Sequence, residues 1–122
     1  YVAEQLQSGR TSILLGKPDA KTISQAAKDG DVLAKEAFER AGYYLGLMIA
    51  NYLMIFNPSI VILGGGVTQS GDLLLEPVRK QVQKSVISED YIRDLVITRA
   101  ALGDDAGLFG ALAFARNLIQ PE

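Results

Sequence analysis

Three consecutive glycines, Gly64-Gly65-Gly66, follow the aliphatic run Ile60-Val61-Ile62-Leu63 and precede Val67. A backbone without Cβ atoms can turn sharply or lie against a flat or phosphorylated group. A buried strand that ends in such a turn, at the start of a crossover, is where α/β folds place ligands. A tight turn with no ligand accounts for the triplet about as well. Asp104 and Asp105, just after Gly103, are the other residues whose pattern could do chemistry. Adjacent carboxylates can cap a helix or help hold a metal-bound phosphate. Capping is the expected role, because nothing else in the chain completes a metal site. The chain has no His and no Cys. That removes imidazole bases, Ser-His and Cys-His nucleophiles, and thiolate metal ligands. No catalytic residue and no metal ligand is nominated.

The elements that must hold the glycine turn are legible around it. Pro58 lacks an amide hydrogen and restricts Asn57, so a preceding helix stops there. That helix runs over Val32 to Phe56, capped by Asp31. Phe38, Ala41, Leu45, Met48, Ile49, Tyr52, Leu53 and Phe56 recur at helical spacing. Its second half is apolar nearly all round and is expected to be central. Gly42, Gly46 and Ala50 form a small-residue stripe. Close backbone packing, or room for a ligand, would offset the helical cost of two glycines; packing is the preferred reading.

Upstream, a short helix over Val2 to Gln7 and a loop over Gly16 to Lys21 precede a helix from Ile23 to Lys28. Thr22 is its expected N-cap, with Gln25 completing a capping box. Downstream, a polar loop over Thr68 to Asp72 leads into a helix over Leu73 to Ser88. Leu74, Val78, Val82 and Val86 share one stripe, and Pro77 fits the first turn of its main part. Leu95 to Thr98 is a second strand. A last helix, capped by Asp104 or Asp105, runs to about Leu118 with Leu108, Leu112, Ala115 and Leu118 or Ile119 inward.

The order is α-α-β-α-β-α, an α/β chain with a parallel βαβ unit. Residues 1–122 make a single domain, of which 1–21 is a less ordered lead-in. Ile60 to Leu63 has no polar alternation, so it is expected to be buried on both faces. Two strands are a thin sheet, which wants neighbouring strands or a second copy to cover its edges. Tyr1 stands where a start Met would, and the chain reads as a fragment of a longer protein. The composition is 48% apolar with net charge -2. It gives no basic footprint for nucleic acid, no leader pattern and no membrane span, and a cytoplasmic protein is expected.

Leu45-Gly46, Asn57-Pro58, Ile60 to Val67, and Ala101-Leu102-Gly103-Asp104-Asp105-Ala106-Gly107-Leu108-Phe109-Gly110-Ala111 together resemble the carboxyl-terminal part of the ROK family. That family holds bacterial sugar kinases, such as glucokinases, and sugar-responsive transcriptional repressors. The resemblance covers about Ile23 to Leu118 and implies a partial actin-like ATPase (ribonuclease H-like) domain. It implies that Gly64, Gly65, Gly66, Val67 and Gly103 border the adenosine side of a nucleotide site. ATP with magnesium is the implied cofactor of the whole protein. The implied partners are a missing amino-terminal part of the same protein, a sugar ligand, and a second copy in a homodimer. The family's Asp-Xaa-Gly phosphate loop, base Asp, sugar-contacting Glu and His, and cysteine-rich zinc motif are not in this sequence. Gly9-Arg10-Thr11-Ser12-Ile13-Leu14 resembles the repressor branch. The leading expectation is therefore the ligand-binding, regulatory carboxyl-terminal lobe of a repressor. The alternatives are the nucleotide-side lobe of an ATP-dependent sugar kinase and a purely structural dimerisation lobe.

Overall fold

Asp31 begins the longest helix and ties the preceding chain to it. One carboxylate oxygen accepts the Ala34 amide at 2.8 Å. The other accepts the Ser12 hydroxyl at 2.8 Å and the Ile13 amide at 2.9 Å. The structure, a computed structural model, describes residues 1–119. Its elements are α1 (Val2–Gln7), α2 (Ala20–Lys28), α3 (Val32–Phe56), β1 (Ile60–Leu63), α4 (Asp72–Ser85), β2 (Val96–Arg99) and α5 (Ala106–Ile119). Tight 3-10 turns occupy Gly66–Ser70, Glu89–Tyr91 and Gly103–Asp105. The fold is mixed α/β with a parallel sheet. β1 pairs with β2 from Ile60 opposite Val96 to Leu63 opposite Arg99.

α3 ends at Asn57, which takes the left-handed conformation at φ 43° and donates its N–H to the Leu53 carbonyl. Asn tolerates that region better than most residues, and Pro58 then bars any further turn. The core lies chiefly between α3 and α4. Leu33, Leu53, Val78 and Val82 are its largest fully buried side chains. Phe38, Ile49, Leu74 and Leu75 join them, with Ala26 and Ala27 from α2.

The two helices approach closely because α3 carries glycine where α4 presses on it. A Cβ at Gly46 would stand 2.6 Å from Gln81 Cβ and 2.7 Å from the Val78 carbonyl oxygen. A Cβ at Gly42 would overlap Pro77. The small-residue stripe is thus a backbone-packing surface.

Several expectations are corrected. α2 starts at Ala20 and is capped by Asp19, not Thr22; the Thr22 amide donates to the Asp19 carboxylate at 2.8 Å. α4 starts at Asp72, so Pro77 sits inside the helix rather than in its first turn. Its ring takes the space Gly42 leaves open. β1 is not buried on both faces: Ile60 and Ile62 are about half exposed or more. Among the described residues only β2 flanks it, and no layer covers that face. For the same reason the second half of α3 is not central all round, and Tyr52, Ile55 and Phe56 are exposed. Leu108, Leu112 and Leu118 of α5 do not point inward but lie exposed. The Gly103–Asp105 turn leads directly into α5; the Asp104 side chain, one of the two expected caps of that helix, lies outside the described residues.

The lead-in over residues 1–21 contains α1 and supplies Val2 and Leu14 to the core. Arg10 forms a two-bond pair with Glu36 of α3 at 2.6 and 2.8 Å, and the Tyr1 hydroxyl donates to the same carboxylate. No helix of the described residues is long and apolar enough to cross a membrane.

Candidate functional site

The glycine turn is built around one carbonyl. Both the amide and the hydroxyl of Thr68 donate to the Gly65 carbonyl oxygen, at 3.0 and 2.7 Å. Thr68 itself is buried. Gly65 sits at φ 95°, ψ 161°, a region that side chains with a Cβ essentially do not enter. Conformation alone therefore explains glycine at 65. It does not explain Gly64 or Gly66. Neither has a positive φ, and a Cβ on either would meet nothing within 4 Å. The protein's own packing leaves open space there.

At Gly66 that space continues into a cavity of about 910 Å³ between the turn and α2. The size suits a drug-sized or nucleotide-sized ligand. From the turn, Gly66, Val67, Gln69 and Ser70 line it. From α2, Lys21, Ser24, Gln25 and Lys28 line it. Those four are spaced three, one and three apart, which places them on one helix face. Asp19 is the cavity's one carboxylate among the described lining residues. Its hydrogen bonds from Thr22 hold the carboxyl below the usual carboxylate range, so it is ionised at neutral pH. It is engaged in capping α2.

Of the five residues expected to border a ligand, Gly66 and Val67 line the cavity. Gly64 and Gly65 are the residues just before them in the same turn. Gly103, at φ 51°, opens the Gly103–Asp105 turn, which packs against the Gly66–Ser70 turn. The α2 face went unrecognised in the sequence. With the helix started at Ile23, Lys21 fell into a loop and the Lys-Ser-Gln-Lys spacing was broken. Among the described residues, no three potential metal-ligating side chains come together. The cavity can bind and orient a polar anionic molecule, while the described side chains around it include no free base.

The chain matches the ROK family over residues 5–118. It is 35% identical over 103 residues to the glucokinase of Thermotoga maritima, covering 84% of this chain and 32% of the glucokinase. It is 36% identical over 92 residues to the xylose repressor of Caldicellulosiruptor bescii, covering 75% of this chain and 23% of the repressor. The crystal structure of a ROK family glucokinase from Streptomyces griseus, in complex with glucose and AMPPNP, superposes with a TM-score of 0.71. It is 37% identical, over 80% of this chain and 31% of that one. The chain thus spans about a third of the length of these glucokinases.

The match corrects three expectations. It begins at residue 5 and takes in the lead-in as well as the glycine turn, so the likeness is not confined to a carboxyl-terminal lobe. The same extent takes in the lead-in, so the match gives no support to a missing amino-terminal part as an expected partner. It also overturns the reading of an isolated regulatory lobe of a repressor, and glucokinases among the relatives favour the kinase alternative.

Proposed function

The chain belongs to the ROK family, and from that premise we propose an ATP-dependent sugar kinase activity, with the cavity between α2 and the glycine turn as its nucleotide site. The observation that carries this reading is the open space at Gly64 and Gly66, neither of which the protein's own conformation or packing requires to be glycine. A ligand that lies against the backbone gives both a reason. The parallel β1–α4–β2 unit, with its turn at the end of β1, supports an actin-like ATPase (ribonuclease H-like) placement. The glucokinase crystallised with glucose and AMPPNP supports nucleotide and sugar as the ligand classes. Gly64, Gly65, Gly66 and Val67, with Gly103 behind them, form the nucleotide-facing turn in this reading.

Binding and orientation are the tasks of these residues. Phosphoryl transfer is mostly positioning and charge stabilisation around the γ-phosphate. Magnesium normally keeps several waters and takes few protein ligands beside the phosphates. The described residues gather no protein cage for it. The reading keeps the protein in the cytoplasm, where ATP is supplied.

The test is turnover of Mg-ATP by the protein with a panel of hexoses and pentoses. ADP release that depends on one sugar is the expected result. Sugar binding with neither ATP binding nor turnover would sink the kinase reading and favour a sugar-responsive repressor, in line with the xylose repressor relative.

A further inference from the structure

Ser24 and Ser70 face the cavity from opposite walls, one on α2 and one at the end of the Gly66–Ser70 turn. They are 8% and 9% exposed. Among the described residues neither hydroxyl has a hydrogen-bond partner. Yet among the described residues no fully buried side-chain oxygen lacks one. The remaining exposure of each side chain therefore includes its hydroxyl, and both residues border this cavity. Two sheltered hydroxyls left unpaired are costly unless water or a ligand meets them.

Lys21 and Lys28 flank Ser24 on the same helix face. They stand about 10 Å apart along the axis, at about 1.5 Å per residue. Both are exposed, and neither forms an ion pair among the described residues. The one nearby carboxylate, Asp19, is held by the Thr22 amide. The cavity thus has two sheltered neutral hydrogen-bonding groups, one on each wall, and two uncommitted cations on either side of the one on α2.

We propose that this α2 face, with Ser70 opposite it, sets the specificity of the nucleotide site. Ser24 and Ser70 hydrogen-bond the nucleoside part, and Lys21 and Lys28 attract the phosphates. The division follows from chemistry. Sheltered hydroxyls suit the hydroxyl and ring-nitrogen groups of a nucleoside, which they can both donate to and accept from. Exposed ammonium groups suit a flexible polyanion, which they draw in without fixed geometry. The proposal rests on the nucleotide reading above and adds which residues tell a nucleotide from a bare phosphate chain.

Calorimetric titration of the protein with Mg-ATP and, separately, Mg-tripolyphosphate tests it. The second probe carries the phosphates without the nucleoside. Ser24→Ala with Ser70→Ala should weaken ATP binding by about tenfold and change tripolyphosphate binding by less than about twofold. Lys21→Gln with Lys28→Gln should weaken both probes and flatten the salt dependence of ATP binding. Melting curves check the fold, and the lysine pair, being exposed, keeps the test decisive if the serine pair does not fold. ATP binding left unchanged by both pairs overturns the proposal while the nucleotide reading survives. Equal losses for both probes in the serine pair overturn the division of labour. An unsubstituted protein that binds no ATP overturns the nucleotide reading and this proposal together.

Discussion

At the scale of single residues, two positions carry the most inference. Asp31 joins three hydrogen bonds from two segments of chain. Desolvation pushes its pKa up, but the bonds from Ala34, Ile13 and Ser12 prevail and hold it below the ordinary carboxylate value. A carboxyl whose folded pKa is depressed stabilises the fold above its unfolded pKa, and that contribution fades as pH falls through the folded one. Asp31→Ala should therefore cost about 1 kcal/mol or more at neutral pH, through the lost cap and loop bonds. The gap to the unsubstituted protein should narrow as pH falls below about 4 and through the depressed folded value, beneath which neither protein has an ionised carboxylate at this position. Melting curves across that range check it, and a gap that widens on acidification would contradict it.

Gly66 is the second such position. Its φ is not positive, its Cβ would meet nothing, and it lines the cavity. Gly65→Val would mix backbone strain with any effect on a ligand, because 65 needs a conformation open to glycine. Gly66→Val separates the two. The sequence placed a ligand at the triplet, but only φ values and Cβ surroundings distinguish which glycine serves the turn and which faces open space.

At the scale of elements, α3 and α4 are held together by missing side chains. Gly46→Ala should already destabilise the protein, since the new Cβ meets backbone as well as side chain. Gly46→Leu should cost about 1–3 kcal/mol by overpacking. An unchanged denaturation midpoint for either would contradict the packing geometry. The bounds of α3 and β1 were readable because Asp31, Asn57-Pro58 and the glycine triplet punctuate them. α2 was read three residues short because Thr22 and Gln25 mimic a capping box while Asp19 makes the bond. That misreading hid the half of the cavity that α2 supplies. α5 was read as packed because its apolar residues recur at helical spacing, yet periodicity says which face is apolar and not what covers it.

At the scale of the whole molecule, the α3–α4 core and the two-stranded parallel sheet place one turn where three parts meet. The Gly66–Ser70 turn packs against α2, α4 and the Gly103–Asp105 turn. It is reached from β1 through two glycines and leaves into α4 through Gly71 at φ 62°. This junction agrees with family membership across residues 5–118. The family was readable in the glycine triplet and the Gly103 to Ala111 segment. The choice between kinase and repressor was not, because both branches share this architecture and differ in chemistry that these residues do not carry.

The measurement that bears most directly on the central claim is calorimetric titration of Mg-ATP into the unsubstituted protein and into Gly66→Val, with a melting curve of each. The unsubstituted protein should bind, Gly66→Val should lose about tenfold or more in affinity, and the two should melt alike. Equal affinity in both proteins, or no binding by the unsubstituted one, would contradict the placement of a nucleotide against the glycine turn.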